Sequence, residues 1–233
     1  MPTTTLRVLS YNVRSLRDDK RAVARVIQDA KPDVVCIQEA PRFVRWRSRA
    51  AALARRSGLV VVTGGRTACG NLLLCQIGVT VRSTATIQLS HRRGVHRRGA
   101  AIAVCELGGH RFALVGTHLD LTAGDRIRHS HELFARLHEV TGDDSLPVIL
   151  GADINELPGG QAFAVFASRL RDTFAVAGDG PGDTFSAIEP TRRIDAIFAD
   201  RRLSVASCRV LDGPDIPAAS DHRPVLAEID LGE

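Results

Sequence analysis

Val148-Ile149-Leu150-Gly151-Ala152-Asp153-Ile154-Asn155 is the most informative stretch of this 233-residue chain. Its apolar run reads as a central strand over Leu146–Ala152, yet that strand ends on a carboxylate and then an amide. Residues two apart in extended chain face the same side, so Asp153 and Asn155 are expected to point together. Burying one carboxylate is costly unless it is paired or binds a metal. The pattern recurs along the sequence. Asn12 follows Leu9-Ser10-Tyr11, Glu39 follows Val34–Gln38, and His118 and Asp120 follow Leu114–Thr117. Asp195 sits within Ile194–Phe198, and Asp221-His222 precede Pro224-Val225-Leu226. Charged strand ends that meet at one rim make a polar site on an apolar scaffold.

Outward from these strands, Leu6–Val13, Asp33–Gln38, Leu59–Thr63, Asn71–Gln76, Val79–Leu89, Arg98–Glu106 and Arg111–His118 read as further strands. So do Arg193–Phe198, Leu203–Leu211 and Pro224–Asp230. Helices are expected over Asp18–Ala30, Arg42–Arg56, Asp125–Val140 and Gln161–Leu170. Thr122 with Asp125 resembles a capping box at the third of these. Gly178–Gly182 reads as a loop. Hairpin-like and helix-connected strands are mixed, which suits two packed mixed β-sheets flanked by helices, an α/β fold. No linker or repeat divides the chain, so one domain over residues 1–233 is expected.

Hydrophobic residues at 44% and charged residues at 24% are globular averages, which excludes disorder, collagen-like repeats and coiled-coil rods. Apolar runs such as Leu72–Cys75 fall far short of the ~20 residues that span a bilayer. No charged segment leads into an apolar signal core at the start. Cys36, Cys69, Cys75, Cys105 and Cys208 are odd in number and lack zinc spacing, so reduced core thiols are expected. These features predict a soluble, cytoplasmic monomer. The net charge is +5, with 29 arginines against two lysines. Arginine suits phosphate recognition, but a GC-rich genome yields the same bias, so charge alone does not establish a nucleic-acid partner.

The side chains at the strand ends have a chemical bias. Glu39, Asp153, Asp195 and Asp221 are hard oxygen donors suited to Mg²⁺ or Mn²⁺ rather than zinc. His118 and His222 can donate to an anion, and Asn12 and Asn155 can orient a ligand without adding charge. Such a set fits metal-assisted hydrolysis of a phosphate ester. No nucleophile elbow, Walker loop or dinucleotide fingerprint competes with it.

Ser10-Tyr11-Asn12-Val13, Ile37-Gln38-Glu39, Gly70-Asn71, Thr117-His118-Leu119, Gly151–Asn155, Arg193–Phe198 and Ser220–Val225 occur in one order across residues 10–225. In that order they resemble the endonuclease/exonuclease/phosphatase superfamily, which includes deoxyribonuclease I. The resemblance implies a four-layer α/β sandwich with its site at one edge of the paired sheets. It implies that Glu39 binds the divalent metal with help from Asn12, with Asp221 beside it. Asp153 would activate water, Asn155 hold the phosphate, and His222, oriented by Asp195, contact the phosphoryl oxygens. His118 would assist the leaving group or the phosphate. Arg14 stands where AP endonucleases carry a metal-binding Asp, and Thr117-His118 where they use a Tyr. Both departures argue against abasic-site repair and toward the histidine-bearing branch. Asn71 lies where a partner for His118 is otherwise expected.

Arg92, Arg93, Arg97 and Arg98 form a basic loop between two strands that can grip a phosphate backbone. Arg97 and Arg98, with Arg14 and Asn71, are therefore the expected substrate-binding residues, and no carboxylate close in sequence neutralises Arg14 or the loop. Arg42, Arg45, Arg47 and Arg49 read as a solvated helix face, and His129, His131 and His138 as surface residues. The expected function is divalent-metal-dependent phosphoester hydrolysis, with nucleic acid, DNA or RNA, as the favoured substrate. A small phosphoester (nucleotide, inositol phosphate or phospholipid head group) is the alternative. A non-catalytic binding module fits less well, because it has no need of an unpaired carboxylate cluster.

Overall fold

The computed structural model describes residues 4–143 and 145–232. In chain order its elements are β1 (Thr5–Asn12), α1 (Lys20–Ala30), β2 (Val34–Gln38), α2 (Trp46–Arg56), β3 (Val60–Gly65), β4 (Asn71–Cys75), β5 (Thr80–Gln88), β6 (Gly99–Leu107) and β7 (His110–His118). There follow α3 (Ala123–Thr141), β8 (Val148–Asp153), α4 (Gln161–Arg169), β9 (Arg171–Asp172), α5 (Thr173–Ala177), β10 (Gly178–Asp179), β11 (Asp195–Ala199), β12 (Ser204–Val210), α6 (Ile216–Ala219) and β13 (Val225–Asp230). One sheet runs β10-β12-β13-β1-β2-β4-β3 and the other β5-β6-β7-β8-β11-β9.

Alternation within each strand builds the layers. Leu6 and Val8 of β1, Val34 and Cys36 of β2, and Leu73 and Cys75 of β4 enter the core between the sheets, where Leu114, Ile149 and Ile197 meet them. The intervening Leu9, Tyr11, Val35, Ile37, Leu72 and Leu74 face α1 and α2. On the other sheet Val115, Leu150, Ala152 and Phe198 face α3 and α4 through Phe134, Phe163 and Phe166. This is a four-layer α/β sandwich, two mixed sheets flanked by helices. Strands buried on both faces read as continuous apolar runs, as β2, β4 and β8 do.

The sheets close tightly beneath the site. Gly116 and Gly151 are cross-strand partners, and a Cβ at Gly151 would meet the Cys36 Cβ at 2.7 Å and the Ser10 Oγ at 3.0 Å. Only glycine fits there. Beside it, Gln38 Nε2 donates to Ser10 Oγ at 3.1 Å and to the Gly151 carbonyl at 3.3 Å, tying the two sheets together.

Two local expectations need correction. The helix expected from Arg42 starts at Trp46, because Arg45 is left-handed with φ 56°, a conformation that stops helix propagation. The loop expected over Gly178–Gly182 begins instead with the two-residue strand β10, and β9 and α5 form just before it where no periodicity marks them. Among the described residues, no helix is long and apolar enough to cross a membrane.

Candidate active site

Topology gathers the polar strand ends at one edge. β1 and β2 run parallel with Asn12 opposite Gln38, and β7 and β8 run parallel with His118 opposite Asp153. β11 is antiparallel to β8, so its first residue, Asp195, faces Asp153. β13 is antiparallel to β1 and begins there too, which brings in Asp221 and His222. Glu39 and Asn155 lie just past their strands, both left-handed with φ 51° and 56°. The expected shared direction of Asp153 and Asn155 is thus made by a turn, closed by Asn155 N–H on Asp153 Oδ1 at 3.0 Å.

Asp153 is the hub. Its Oδ2 accepts from Asn12 Nδ2 at 2.9 Å and lies 3.3 Å from His118 Nε2 and 3.8 Å from His222 Nε2. His222 Nδ1 bonds Asp195 Oδ2 at 2.8 Å. Thr184 Oγ1 fixes the Asp195 backbone by accepting its N–H at 3.2 Å. Ser220 Oγ donates to the Asn12 carbonyl at 2.7 Å, joining the His222 loop to β1. Asn155 Nδ2 donates to the Leu119 carbonyl at 3.1 Å, which sets the amide's orientation, and its other hydrogen points to His118 Nε2 at 2.9 Å.

The histidines carry opposite electrostatics. Burial works against a charged His222, but the charge and hydrogen bond of Asp195, then Asp153 and Asp221, raise it to about 10. Burial drives His118 down to about 3; Asp153 opposes this, while Arg98, His222 and Arg42 reinforce it. At neutral pH the site therefore holds an imidazolium and a neutral imidazole whose Nε2 accepts from Asn155.

Above them lies a cavity of about 440 Å³, lined by Glu39, Arg98, His118, Asp153, Asn155 and His222 together with Arg42 and Phe43. The Glu39 carboxylate makes no side-chain hydrogen bond or ion pair among the described residues. An unpaired carboxylate in a polar cavity fits a hard divalent cation. Asp153, Asp195 and His222 also lie close enough together to hold an ion. There, however, the His222 ring is already bonded to Asp195 at 2.8 Å, so the Glu39 side suits a cation better.

The basic residues differ from expectation. Arg14 is not free: it pairs with Asp18 at 3.4 Å and Asp221 at 3.2 Å. Arg92 pairs with the buried Asp125, which Arg128 also contacts. Arg92, Thr122 and Arg128 hold that carboxyl well below the usual carboxylate range. Thr122 donates to Asp125 Oδ2 at 2.8 Å, and neither caps the helix backbone. Arg98 is largely buried in the cavity wall, 3.8 Å from Asp120, and its Nε has no hydrogen-bond partner among the described residues. Burial lowers its guanidinium from the ordinary value against the pull of Asp120, Asp153 and Glu39. Arg97 bonds Gln88 at 3.3 Å and lines a neighbouring cavity of about 400 Å³ with Arg42, Arg66 and His96. Asn71 is buried outside the cavity, where it donates to the Ala68 and Gly99 carbonyls. His129 is also buried, bonded to the Ser90 carbonyl at 2.8 Å.

Reading the strand ends missed the supports: Thr184, Ser220, Gln38 and Asp120 as the partner of Arg98. Asp120 carried a visible signal, its place two residues after His118, and Gln38 and Ser220 stand within the ordered segments next to Glu39 and Asp221. Arg42 lines the cavity rather than a helix face.

The endonuclease/exonuclease/phosphatase family model matches residues 9–222. No curated protein matches the sequence. Among solved structures, a family protein from Bacteroides thetaiotaomicron superposes with a TM-score of 0.84 at 21% identity, covering 98% of each chain. A mannosyl-6-phosphatase from the same species gives 0.82 at 20% identity, over 96% of this chain and 99% of that one. D. rerio TDP2, solved with a single-stranded DNA product, gives 0.75 at 17% identity over 97% and 99%. These likenesses are likenesses of fold. The family match spans nearly all the strand ends described above, and the chain belongs to the endonuclease/exonuclease/phosphatase family.

Proposed function

We propose that the protein is a Mg²⁺- or Mn²⁺-dependent phosphodiester hydrolase acting on nucleic acid. The observation that carries this reading is the linked set Asn12–Asp153–His222–Asp195, of which Asp153 and His222 line a cavity whose wall holds an unpaired Glu39. A divalent cation held by Glu39 would supply charge stabilisation at the phosphoryl group. Asp221, expected beside the metal, instead pairs with Arg14 and lines a separate cavity, and the Asn12 amide is engaged by Asp153 and the Arg14 N–H.

The protein's own residues divide the remaining work. Asp153 Oδ2, oriented by Asn12, takes the proton of the attacking water. His222 donates from Nδ1 to Asp195, which leaves its Nε2–H for a phosphoryl oxygen; a donor aimed where charge develops is among the largest catalytic contributions. His118 is neutral and held by Asn155, so it positions the ester rather than neutralising it. Both amide hydrogens of Asn155 are engaged, so its part is to fix His118. Arg98, with Nε unpartnered in the wall, is the cation available to a second phosphate oxygen, and Asp120 positions it.

A cavity of about 440 Å³ also has room for one nucleotide-sized phosphoester, which keeps a small substrate as the second reading. A panel of single-stranded DNA, RNA, plasmid, nucleotides, inositol phosphates and phospholipids, with and without Mg²⁺, separates the two. Metal-dependent cleavage of the nucleic acids supports the proposal. Activity confined to small phosphoesters overturns it.

A further inference from the structure

Many arginines of this protein face a carboxylate. Arg7, Arg25, Arg82, Arg92, Arg126, Arg193 and Arg202 all do. Codon usage sets how many arginines a chain has, not which of them lack partners. Among the cations without such a partner, four meet beside α1 and α2. There a groove of about 360 Å³ is lined by Lys20, Arg45, Arg49 and Arg56, with Leu16 and Leu53 among its apolar residues and no acidic residue. None of the four cations has a side-chain hydrogen bond or ion pair among the described residues. All four are exposed.

The groove adjoins the candidate active site. Ser15 and Arg17 line the catalytic cavity, and Leu16 between them lines the groove. Arg42 and Phe43 line the cavity, and Arg45 lines the groove. Two residues of chain span at most about 7 Å, so the ridge between Phe43 and Arg45 is thin. Both sides of that ridge carry positive charge. Four unneutralised cations in a concave surface raise the local concentration of an anion, and an apolar floor between them suits the face of a base.

We infer that the α1–α2 groove is a second phosphate-binding site, which holds the next phosphates of a single-stranded oligonucleotide whose scissile diester occupies the catalytic cavity. This inference rests on the nucleic-acid reading above. A strand crossing the ridge would place backbone phosphates on Arg45, Arg49, Lys20 and Arg56. A mononucleotide or a small phosphoester would never reach them.

The test is fluorescence anisotropy in chelator, where no cleavage occurs, with labelled oligo-dT of two and of about ten nucleotides. Wild-type protein is expected to bind the longer strand much more tightly than the dinucleotide. The triple variant Lys20→Ser/Arg49→Ser/Arg56→Ser should lose most of that ratio. Its salt slope on the longer strand should be shallower by about 2, since each neutralised single-strand phosphate contributes about 0.7. Arg25→Ser/Arg82→Ser/Arg202→Ser removes the same net charge from carboxylate-paired sites and should keep the ratio. The inference is overturned if wild type shows no length gain, if the groove variant keeps it, or if both triple variants lose it equally. Cleavage of the dinucleotide in Mg²⁺ is scored separately. Cleavage without a length gain sinks the groove and leaves the proposed function standing, whereas no cleavage of any nucleic acid sinks the parent reading and the groove with it.

Discussion

His222 and His118 both approach Asp153 Oδ2, at 3.8 and 3.3 Å, yet their surroundings set them in opposite states. His222 has Asp195, Asp153 and Asp221 about it and stays charged to about 10. His118 is buried with Arg98 and Arg42 nearby and is driven down to about 3. Burial penalises charge at both positions; the sign of the neighbours decides which ring keeps its proton. The two sheets thus deliver one side chain type for two tasks. The loop before β13 supplies a charged ring, and β7 supplies a neutral one.

The sharpest way to break that comparison is kinetic. His222→Ala should lower turnover by roughly 10²–10⁴-fold, the usual size for a positioned proton-donating group. His118→Ala should cost only about fivefold, because a neutral hydrogen bond is worth about 1 kcal/mol. Equal losses from the two variants would mean that their roles do not differ. Glu39→Gln tests the cation these rings work beside. Wild type should gain about 2.7 kcal/mol of stability from Mg²⁺ at a hundredfold excess over Kd, and the variant should lose most of that gain in Tm.

Gly151→Ala should affect both halves alike. Its new Cβ would press on Cys36 and Ser10 between the sheets, at a cost of about 1–3 kcal/mol, read as a lower denaturation midpoint. A neutral effect would mean that the sheets can part there at no cost.

Much of this comparison was legible in the sequence. Polar residues capping apolar strands identified Asn12, Glu39, His118, Asp153, Asp195 and His222, because strand periodicity is local and a carboxylate at its end stands out. Pairing across the fold was not legible. Arg14 meets Asp221 and Arg92 meets Asp125 through tertiary contacts between residues far apart in the chain, and nothing local in Arg92-Arg93 marks which arginine stays free. Helix α2 begins late because Arg45 turns left-handed, which its side chain does not announce in the sequence. Asn71 does not serve His118: its amide holds two backbone carbonyls, and Asn155 donates to His118 instead.

The smallest expected effects are on stability against pH in the metal-free protein. His222 sits above its ordinary 6.5 when folded, so its contribution is complete below 6.5 and is lost as pH rises toward about 10. His118 sits below 6.5, so its contribution is complete above 6.5 and is lost as pH falls toward about 3. Tm followed across both windows should show His222→Gln flattening the alkaline limb and His118→Gln the acid limb. Variants that leave both limbs unchanged would show the two rings titrating alike.

The most direct test of the whole account is hydrolysis of single-stranded DNA and RNA by wild-type protein and Asp153→Asn, in Mg²⁺ and in excess chelator. Asp153 touches both histidines and Asn12, so every assigned role depends on it. Wild type should turn over in Mg²⁺ and stop in chelator. Asp153→Asn should lose roughly 10²–10⁴-fold in turnover with its Tm retained. Undiminished wild-type activity in chelator, or near-normal turnover by Asp153→Asn, would contradict it.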